Sequence, residues 1–427
     1  MIKKFTAGNG IRVLCEQMEQ IRSVVVGVWI GAGSRHERDE YLGVSHFIEH
    51  MLFKGTQKRT ARQIAEEIDY IGGHINAFTA KDCTCFYVKT LDGHLRVGID
   101  MLADILLHSK LEERDVNLEK NVILEEINMY EDTPDELVHD LLAETVWKNC
   151  TLGYPVLGRP ETIGRVDSGV MREYLTAKYT ADNIVVSVAG SFDETELRLI
   201  LDDAFGELPA GSGTAGAGMR DGPNAVYAAD ARLCRKETEQ IHLCLGFEGI
   251  ELGDDDAYPL HLVNNLLGGG MSSVLFQKVR EELGLVYSIY SYASAYRHAG
   301  LYTVYAGMQP ENAETVYDMI IGEIEKFKKS GVSADLLERA KDQFKGNFYM
   351  GLESPNARMS ALGKNELLLG YVNTPEEIIE KACAVTLDDV YRVMEKVFDM
   401  DKLAASAVGR LEPKFAEKLN CRAATEV

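Results

Sequence analysis

The chain has 427 residues, of which 46% are hydrophobic and 26% charged, and its formal net charge is −22. This length suits two or more domains, and the composition is that of an ordinary soluble globular protein. The negative charge argues against nucleic acid as a partner. It is compatible with basic or unfolded peptides as ligands, and at least equally with an acidic surface that only keeps the protein soluble.

The cysteines and the N-terminus indicate a cytoplasmic protein. A chain of this length does not need disulfide bonds, and its eight cysteines form no zinc-binding pattern, so we expect reduced thiols. The N-terminus lacks the apolar core of a signal peptide. The most apolar run, Val24 to Ala32, is far shorter than the ~20 residues that span a bilayer. We therefore expect no membrane association.

Helical and strand-like patterns mix along the first half of the chain. Residues 23–30 are rich in β-branched side chains, which favours a strand. The strands that we predict are 11–15, 23–31, 75–79, 84–88 and 184–190. The helices that we predict are 60–71, 93–108, 112–131, 134–148, 168–178 and 193–205.

The motif His46-x-x-Glu49-His50 lies in a stretch without Pro or Gly, so we predict a helix there, with Ser45 as its N-cap. Positions i, i+3 and i+4 share one face of a helix. Two imidazoles at i and i+4 can bind one Zn²⁺, and the carboxylate beside them can take a proton from water. The alternative is an amphipathic helix whose polar face happens to carry these residues.

A zinc site needs a third protein ligand, and the helix predicted at 112–131 offers Glu119, Glu125 and Glu126. Glu119 and Glu126 are seven residues apart, which is two helical turns, so they share a face. Spacing alone does not exclude Glu125. Without the first motif, we would place all three carboxylates on a solvated surface.

The second half of the chain repeats the first. Residues 261–267 parallel 46–52, an offset of 261 − 46 = 215, and Gly409 parallels Gly190, an offset of 409 − 190 = 219. Asn264 and Asn265 stand where the first half has Glu49 and His50, so the second copy cannot hold the same metal. Residues 209–223 are rich in Gly and Ala and predict a flexible linker. We expect a catalytic domain at 1–208 and a degenerate homologous domain at 224–427.

These motifs together resemble the insulinase/pitrilysin superfamily (M16) of zinc metallopeptidases. The resemblance rests on His46-x-x-Glu49-His50 and on Glu126, 126 − 50 = 76 positions further on. It is greatest to the short branch that includes the mitochondrial processing peptidase β subunit and its bacterial homologues. It implies an α+β fold of two tandem homologous domains, each an antiparallel sheet with helices packed on one face.

The resemblance also implies the site. One Zn²⁺ per chain would be held by His46, His50 and Glu126, with Glu49 as the general base and Glu119 as an auxiliary glutamate of the catalytic site. Arg280 and Tyr287 would hold the substrate and stabilise the oxyanion. The strand residues Asn76, Ala77, Phe78 and Thr79 would bind the substrate backbone by edge addition; the alternative is a plain hairpin strand.

The resulting hypothesis is a zinc endopeptidase that cleaves short or unfolded peptides, including basic ones, inside a closed chamber. The resemblance implies a dimer, either of identical chains or of this chain with an inactive paralogue. One alternative is a non-catalytic scaffold or assembly subunit, related to respiratory-complex core proteins. Another is a zinc-binding partner that is active only with a second peptidase.

Overall fold

A computed structural model describes residues 2–211 and 225–419 and the short strand at 424–425. The strands are β1 (Ile2–Thr6), β2 (Arg12–Gln17), β3 (Ser23–Ile30), β4 (His74–Thr79), β5 (Thr84–Leu91), β6 (Ile184–Gly190), β7 (Ala231–Arg235), β8 (Ile241–Glu248), β9 (Val286–Tyr296), β10 (Ala299–Met308), β11 (Ala404–Gly409) and β12 (Ala424–Thr425).

The helices are α1 (Val44–Leu52), α2 (Ala61–Tyr70), α3 (Leu95–His108), α4 (Glu113–Glu131), α5 (Pro134–Val146), α6 (Pro160–Arg165), α7 (Ser168–Lys178), α8 (Glu194–Phe205), α9 (Ala257–Leu267), α10 (Ala313–Ser330), α11 (Ala334–Leu352), α12 (Pro355–Leu369), α13 (Pro375–Ala384), α14 (Leu387–Val397) and α15 (Pro413–Lys418). A π-helical segment lies at Phe276–Glu282. None of the described helices is both long enough and apolar enough to cross a membrane.

The strands form two sheets of corresponding order. The first is β1-β2-β6-β3-β5-β4, and the second is β12-β7-β11-β8-β10-β9. Most neighbouring strands are antiparallel, but β2 is parallel to β6, and β7 is parallel to both β11 and β12. The predicted α+β class and the repetition of the sheet are confirmed. The β2–β6 and β7–β11 pairs arise because β6 and β11 come from distant parts of the chain and insert beside the central strands β3 and β8.

One face of the first sheet forms the main core with helices. Along β3, alternate residues from Val24 to Ile30 are buried in one apolar cluster together with Phe47 of α1 and Ile99 of α3. Since successive strand residues point to opposite faces, this alternation places α1 and α3 on the same side of the sheet. The helix α1 is therefore anchored through its apolar side, and its polar side is left for other contacts.

The second face of the first sheet is covered by α12, which we did not predict. A Cβ atom at Gly27 of β3 would lie 2.2 Å from Sδ of Met359, and one at Gly363 would lie 2.0 Å from Nε1 of Trp29. The Trp29 indole is buried and donates to Ser187 Oγ at 2.8 Å. Glycine on both elements therefore permits a close approach of helix and sheet that a side chain would prevent.

The second sheet is covered in the same way by α5. A Cβ atom at Gly246 of β8 would lie 2.9 Å from Cδ1 of Leu142. Ser406 of β11 donates its hydroxyl to the backbone oxygen of Val138 at 2.7 Å. In each sheet, therefore, one helix from the other half of the sequence packs on the face opposite the main core.

This exchange changes how the chain divides. One compact unit contains the described parts of Met1–Ile127, Pro155–Gly222 and Tyr349–Thr374, and the other contains the rest. The division differs from the predicted 1–208 and 224–427 in two segments, because α5 packs on the second sheet and α12 on the first. Apart from residues 209–211, the linker predicted at 209–223 lies outside the described residues.

Candidate metal centre

Helix α1 carries the motif, but it begins two residues earlier than it would with Ser45 as its N-cap. Its N-cap is Gly43, whose φ of 91° is left-handed and which has no side chain to cap the helix. The carboxylate of Glu37 takes this role, since it accepts from Gly43 N at 2.6 Å and Ser45 N at 2.8 Å. The predicted Ser45 cap is therefore wrong. The Ser45 hydroxyl instead lies 2.8 Å from Tyr174 OH.

Three of the predicted residues converge in one cluster. His46, His50 and Glu126 each offer a ligand atom, and these atoms lie within 4.8 Å of one another. Glu126 Oε2 is 3.8 Å from His46 Nε2 and 3.6 Å from His50 Nε2. Ligands at 2.0–2.1 Å from a tetrahedral zinc ion lie roughly 3.3–3.4 Å apart. The cluster is thus slightly wider than a closed zinc site, and both histidines present the same ring nitrogen.

The protonation of His46 also suits a metal. Burial, with a smaller effect of the neighbouring His50, lowers the pKa of His46 to about 4. A histidine with this pKa is neutral near pH 7 and keeps a lone pair for coordination. Two imidazoles and one carboxylate are a ligand set that zinc prefers, and it leaves a fourth position open. The residues therefore fit Zn²⁺.

Glu119 lies behind the cluster and orients one ligand. Its Oε1 is 3.0 Å from His50 Nδ1, and its Oε2 is 2.5 Å from Lys54 Nζ. The Glu119 side chain is buried, whereas Glu125 is exposed. The structure thus separates the three glutamates of α4 that spacing left open: Glu126 joins the histidines, Glu119 contacts His50 from the far side, and Glu125 faces solvent.

Glu49 lies on the same face of α1 as the two histidines. It accepts a hydrogen bond from Thr79 Oγ1 at 2.6 Å. Burial raises the pKa of Glu49, the Thr79 hydrogen bond and His50 lower it, and Glu126 raises it. Glu49 is therefore a half-buried carboxylate within the electrostatic reach of two cluster residues, which is the setting of a general base.

Thr79 ends β4, which is the outermost strand of the first sheet. Asn76, Ala77, Phe78 and Thr79 all pair with β5 on one side. Within residues 2–211 and 225–419, no strand pairs with the other side of β4. This is the geometry that addition of a peptide strand requires.

Arg280 and Tyr287 lie in the other compact unit, on the π-helical segment and at the start of β9. The Arg280 guanidinium carbon is 5.7 Å from the centroid of the Tyr287 ring. Tyr287 is 76% exposed. The two residues are therefore neighbours, and the phenol is open to solvent.

The helix that corresponds to α1 in the second sheet is α9. Asn264 Oδ1 accepts from Ser291 Oγ at 2.8 Å, and Ser291 Oγ accepts from Tyr302 OH at 2.8 Å. The asparagine thus takes part in a hydrogen-bond network within the unit. Among the described residues, His46, His50 and Glu126 form the one group suited to a metal ion.

Sequence reasoning assigned no role to Lys54 or Glu37. Lys54 could have been found, because it follows His50 by four residues and thus continues the same helical face. Glu37 carries no such signal. Its contact with α1 depends on the path of residues 37–43, which has no periodicity.

Comparison with known proteins gives two matching family models. Residues 12–160 match "Insulinase (Peptidase family M16)", and residues 165–344 match "Peptidase M16 inactive domain". The first match contains the metal-ligand cluster, and the second contains Asn264 and Asn265.

Curated relatives match over nearly the whole chain. A Bacillus subtilis (strain 168) protein named as an uncharacterized zinc protease is 44% identical over 94% of this chain and 97% of its own length. A Streptomyces coelicolor protein with a similar name is 37% identical, over 98% and 92%.

Two solved structures have the same fold. One is described as a peptidase M16 inactive domain from Pseudomonas fluorescens; its TM-score is 0.89 at 19% identity, over 96% of this chain and 98% of that one. The other is a protease from Helicobacter pylori, with a TM-score of 0.89 at 20% identity, over 96% and 99%.

Proposed function

The chain belongs to the insulinase family of peptidases, family M16, and from this premise we propose that it is a zinc-dependent endopeptidase. The observation that carries the proposal is the convergence of His46, His50 and Glu126, with Glu49 on the same helical face. The relatives' names as zinc proteases agree with this chemistry.

In the proposed reaction, water attacks the carbonyl carbon of a peptide bond, and the carbon–nitrogen bond then breaks. Zinc held by His46, His50 and Glu126 would supply a Lewis acid for this attack. Glu49 takes the proton from the attacking water and delivers it to the amine nitrogen of the leaving fragment. The Thr79 hydroxyl holds one oxygen of Glu49 and so fixes the direction of the carboxylate.

We also propose how the substrate is held. A peptide would add to the free edge of β4, where main-chain hydrogen bonds make little demand on sequence. In the proposed dimer, Arg280 and Tyr287 of one chain would donate to the carbonyl oxygen of a peptide bound at the metal centre of the opposite chain, where charge develops. The proximity of these two donors and the exposure of Tyr287 support this role.

The assembly and substrate class that we propose follow the family resemblance. We propose a homodimer that encloses a chamber, with short or unfolded peptides as its substrates. The alternative assembly is a heterodimer with an inactive paralogue. The net charge of −22 favours basic peptides. Among the described residues, thiols outside any disulfide are present at Cys15, Cys83, Cys85, Cys234, Cys244 and Cys383, which supports the cytoplasmic location that we propose.

The test compares wild type with Glu49→Gln and with Glu125→Gln as the matched control, because Glu125 is an exposed glutamate on α4. Each purified protein is assayed for zinc content and for cleavage of a quenched basic peptide of about 10–20 residues. We expect wild type and Glu125→Gln to cleave. Glu49→Gln should keep its zinc and lose activity by a factor of roughly 10²–10⁴, the contribution of a general base.

Two other outcomes would support a different function. A wild type that binds zinc and cleaves nothing would favour a partner chain that completes the site. A wild type that holds no zinc after metal loading would overturn the proposal, and the non-catalytic scaffold would replace it.

A further inference from the structure

Lys54 lies two residues beyond the end of α1 and outside the cluster of His46, His50 and Glu126. Its backbone N–H donates to Met51 O at 3.1 Å, so the residue is attached to the last turn of the helix. Its ammonium group forms an ion pair with Glu119 Oε2 at 2.5 Å. The side chain of Lys54 is 38% exposed, whereas that of Glu119 is 6% exposed.

The two oxygens of Glu119 are thus both engaged. One is bound to Lys54, and the other lies 3.0 Å from His50 Nδ1. An ionised carboxylate that is buried needs such partners, because taking the charge out of water is costly. Lys54 supplies the compensating charge on the side away from the metal cluster.

This contact fixes which ring nitrogen of His50 faces the cluster. With Nδ1 held by Glu119, the opposite nitrogen Nε2 is directed toward Glu126, 3.6 Å away. His46 has no equivalent support, because its Nδ1 is buried and has no hydrogen-bond partner among the described residues. The orientation of His50 therefore depends on a chain of contacts, while that of His46 does not.

Resting on the proposed function, we infer that Lys54 is a positioning residue for the metal centre, which holds Glu119 against His50 and thereby sets the affinity for zinc. A group that acts through a ligand in this way typically changes metal affinity by about 10–100-fold. Arg at this position keeps the charge, whereas Met keeps the length of the side chain and removes the charge.

The experiment measures the zinc dissociation constant of the full chain by competition with a chromophoric chelator, at one fixed pH. The variants are Lys54→Met, Lys54→Arg and, as a matched control, Lys58→Met. Lys58 lies four residues further on, and its nearest acidic partner is Asp100 at 3.9 Å. We expect about 10–100-fold weaker zinc binding for Lys54→Met, partial or full rescue by Lys54→Arg, and the wild-type value for Lys58→Met.

A double-mutant cycle separates this role from general destabilisation. If Lys54 acts through Glu119, Lys54→Met should have no further effect on zinc affinity in a Glu119→Ala background. An equal loss in both backgrounds, or wild-type affinity of Lys54→Met alone, would overturn the inference. Should Lys54→Met not fold without zinc, as judged by circular dichroism, the same cycle is run with Lys54→Gln.

The readout also distinguishes this inference from the proposed function. A wild type without zinc affinity would refute the zinc peptidase itself. A wild type that binds zinc, with Lys54 variants that bind it equally well, would refute only the role of Lys54.

Discussion

The two sheets have corresponding strand orders, and a helix follows the central strand in each, yet the two helices differ in what they present. Helix α1 presents His46, Glu49 and His50, while α9 presents Asn264, which hydrogen-bonds to Ser291. The same position on the same framework thus supports a metal-ligand cluster in one unit and a network of neutral hydrogen bonds in the other. The framework sets where the helix lies, and a few side chains decide its chemistry.

The support around the two helices differs as well. α1 is held at its start by Glu37 and near its end by the Lys54–Glu119 pair. The N-cap of α9 is Asp256, and its side chain makes no cap hydrogen bond. The unit with the metal cluster therefore holds one helix through two buried carboxylates, and one of them, Glu119, is paired with a lysine, as a buried charge requires.

The experiment with the largest expected effect asks whether only the unit that contains α1 binds zinc. His46→Ala should reduce the zinc content of the purified chain from near one per chain to near zero, because two remaining ligands do not hold the ion. His261→Ala changes the equivalent residue of α9, whose ring packs against Phe344 with centroids 5.1 Å apart, and it should leave the zinc content unchanged. Atomic emission after dialysis measures both; zinc loss from His261→Ala would break the comparison.

A smaller effect is expected from substitutions that test the close packing of α12 and α5 on the second faces of the two sheets. Gly363→Ala would place a methyl group 2.0 Å from the buried Trp29 ring. We expect a loss of about 1–3 kcal/mol in the free energy of unfolding. Gly246→Ala should cost less, because the group that it meets at 2.9 Å is the flexible end of Leu142.

Urea denaturation checks this order of costs. Gly346→Ala on α11 is the control, since nothing lies within 4 Å of an added Cβ there. It should stabilise the helix by roughly 0.5–1 kcal/mol. Equal costs for Gly363→Ala and Gly346→Ala would show that the close approach of α12 is not required.

The smallest expected effect concerns Glu37 and pH. Burial raises the pKa of Glu37 from 4.5 to about 7, although hydrogen bonds from Ser45 and Gly43 oppose the rise. Between these values the folded chain binds the proton more tightly than the unfolded chain does. The contribution of Glu37 to stability is therefore largest at low pH and falls as the pH rises through this window.

The measurement is urea denaturation of wild type and Glu37→Gln at pH 5 and pH 8. The advantage of wild type over the variant should shrink at the higher pH, since glutamine does not titrate. The exposed neighbour Glu40 provides the control variant Glu40→Gln. If the difference between wild type and Glu37→Gln is the same at both pH values, the raised pKa is refuted.

Local periodicity was sufficient to predict much of this structure. The helical spacing of His46, Glu49 and His50 predicted their common face, and the two-turn spacing of Glu119 and Glu126 placed both on the side of α4 that meets His50. The run of β-branched residues at 23–31 predicted the central strand. These features depend on residues close in sequence, where the 3.6-residue and two-residue periods apply.

The remaining features depend on contacts between distant segments. Helix α5 has the same amphipathic pattern whichever sheet it covers, so sequence alone assigned it to the first domain. Gly27 and Gly363 indicate a close approach of β3 and α12 only once the structure has shown that these two elements are in contact. Likewise, the sequence does not show which ring nitrogen of His46 and His50 faces the cluster. The positions of Glu119 and Glu126 in the structure identify it as Nε2 in both.

The exchange of α5 and α12 has a consequence for the order in which the protein can be built on the ribosome. The first sheet is complete in sequence at Gly190, but the helix that covers its second face ends at Leu369. Trp29 and the sheet face around it therefore remain uncovered until α12 has been synthesised. Vectorial folding of the N-terminal half cannot finish before the C-terminal half has emerged, and the nascent chain exposes an apolar sheet face for that interval.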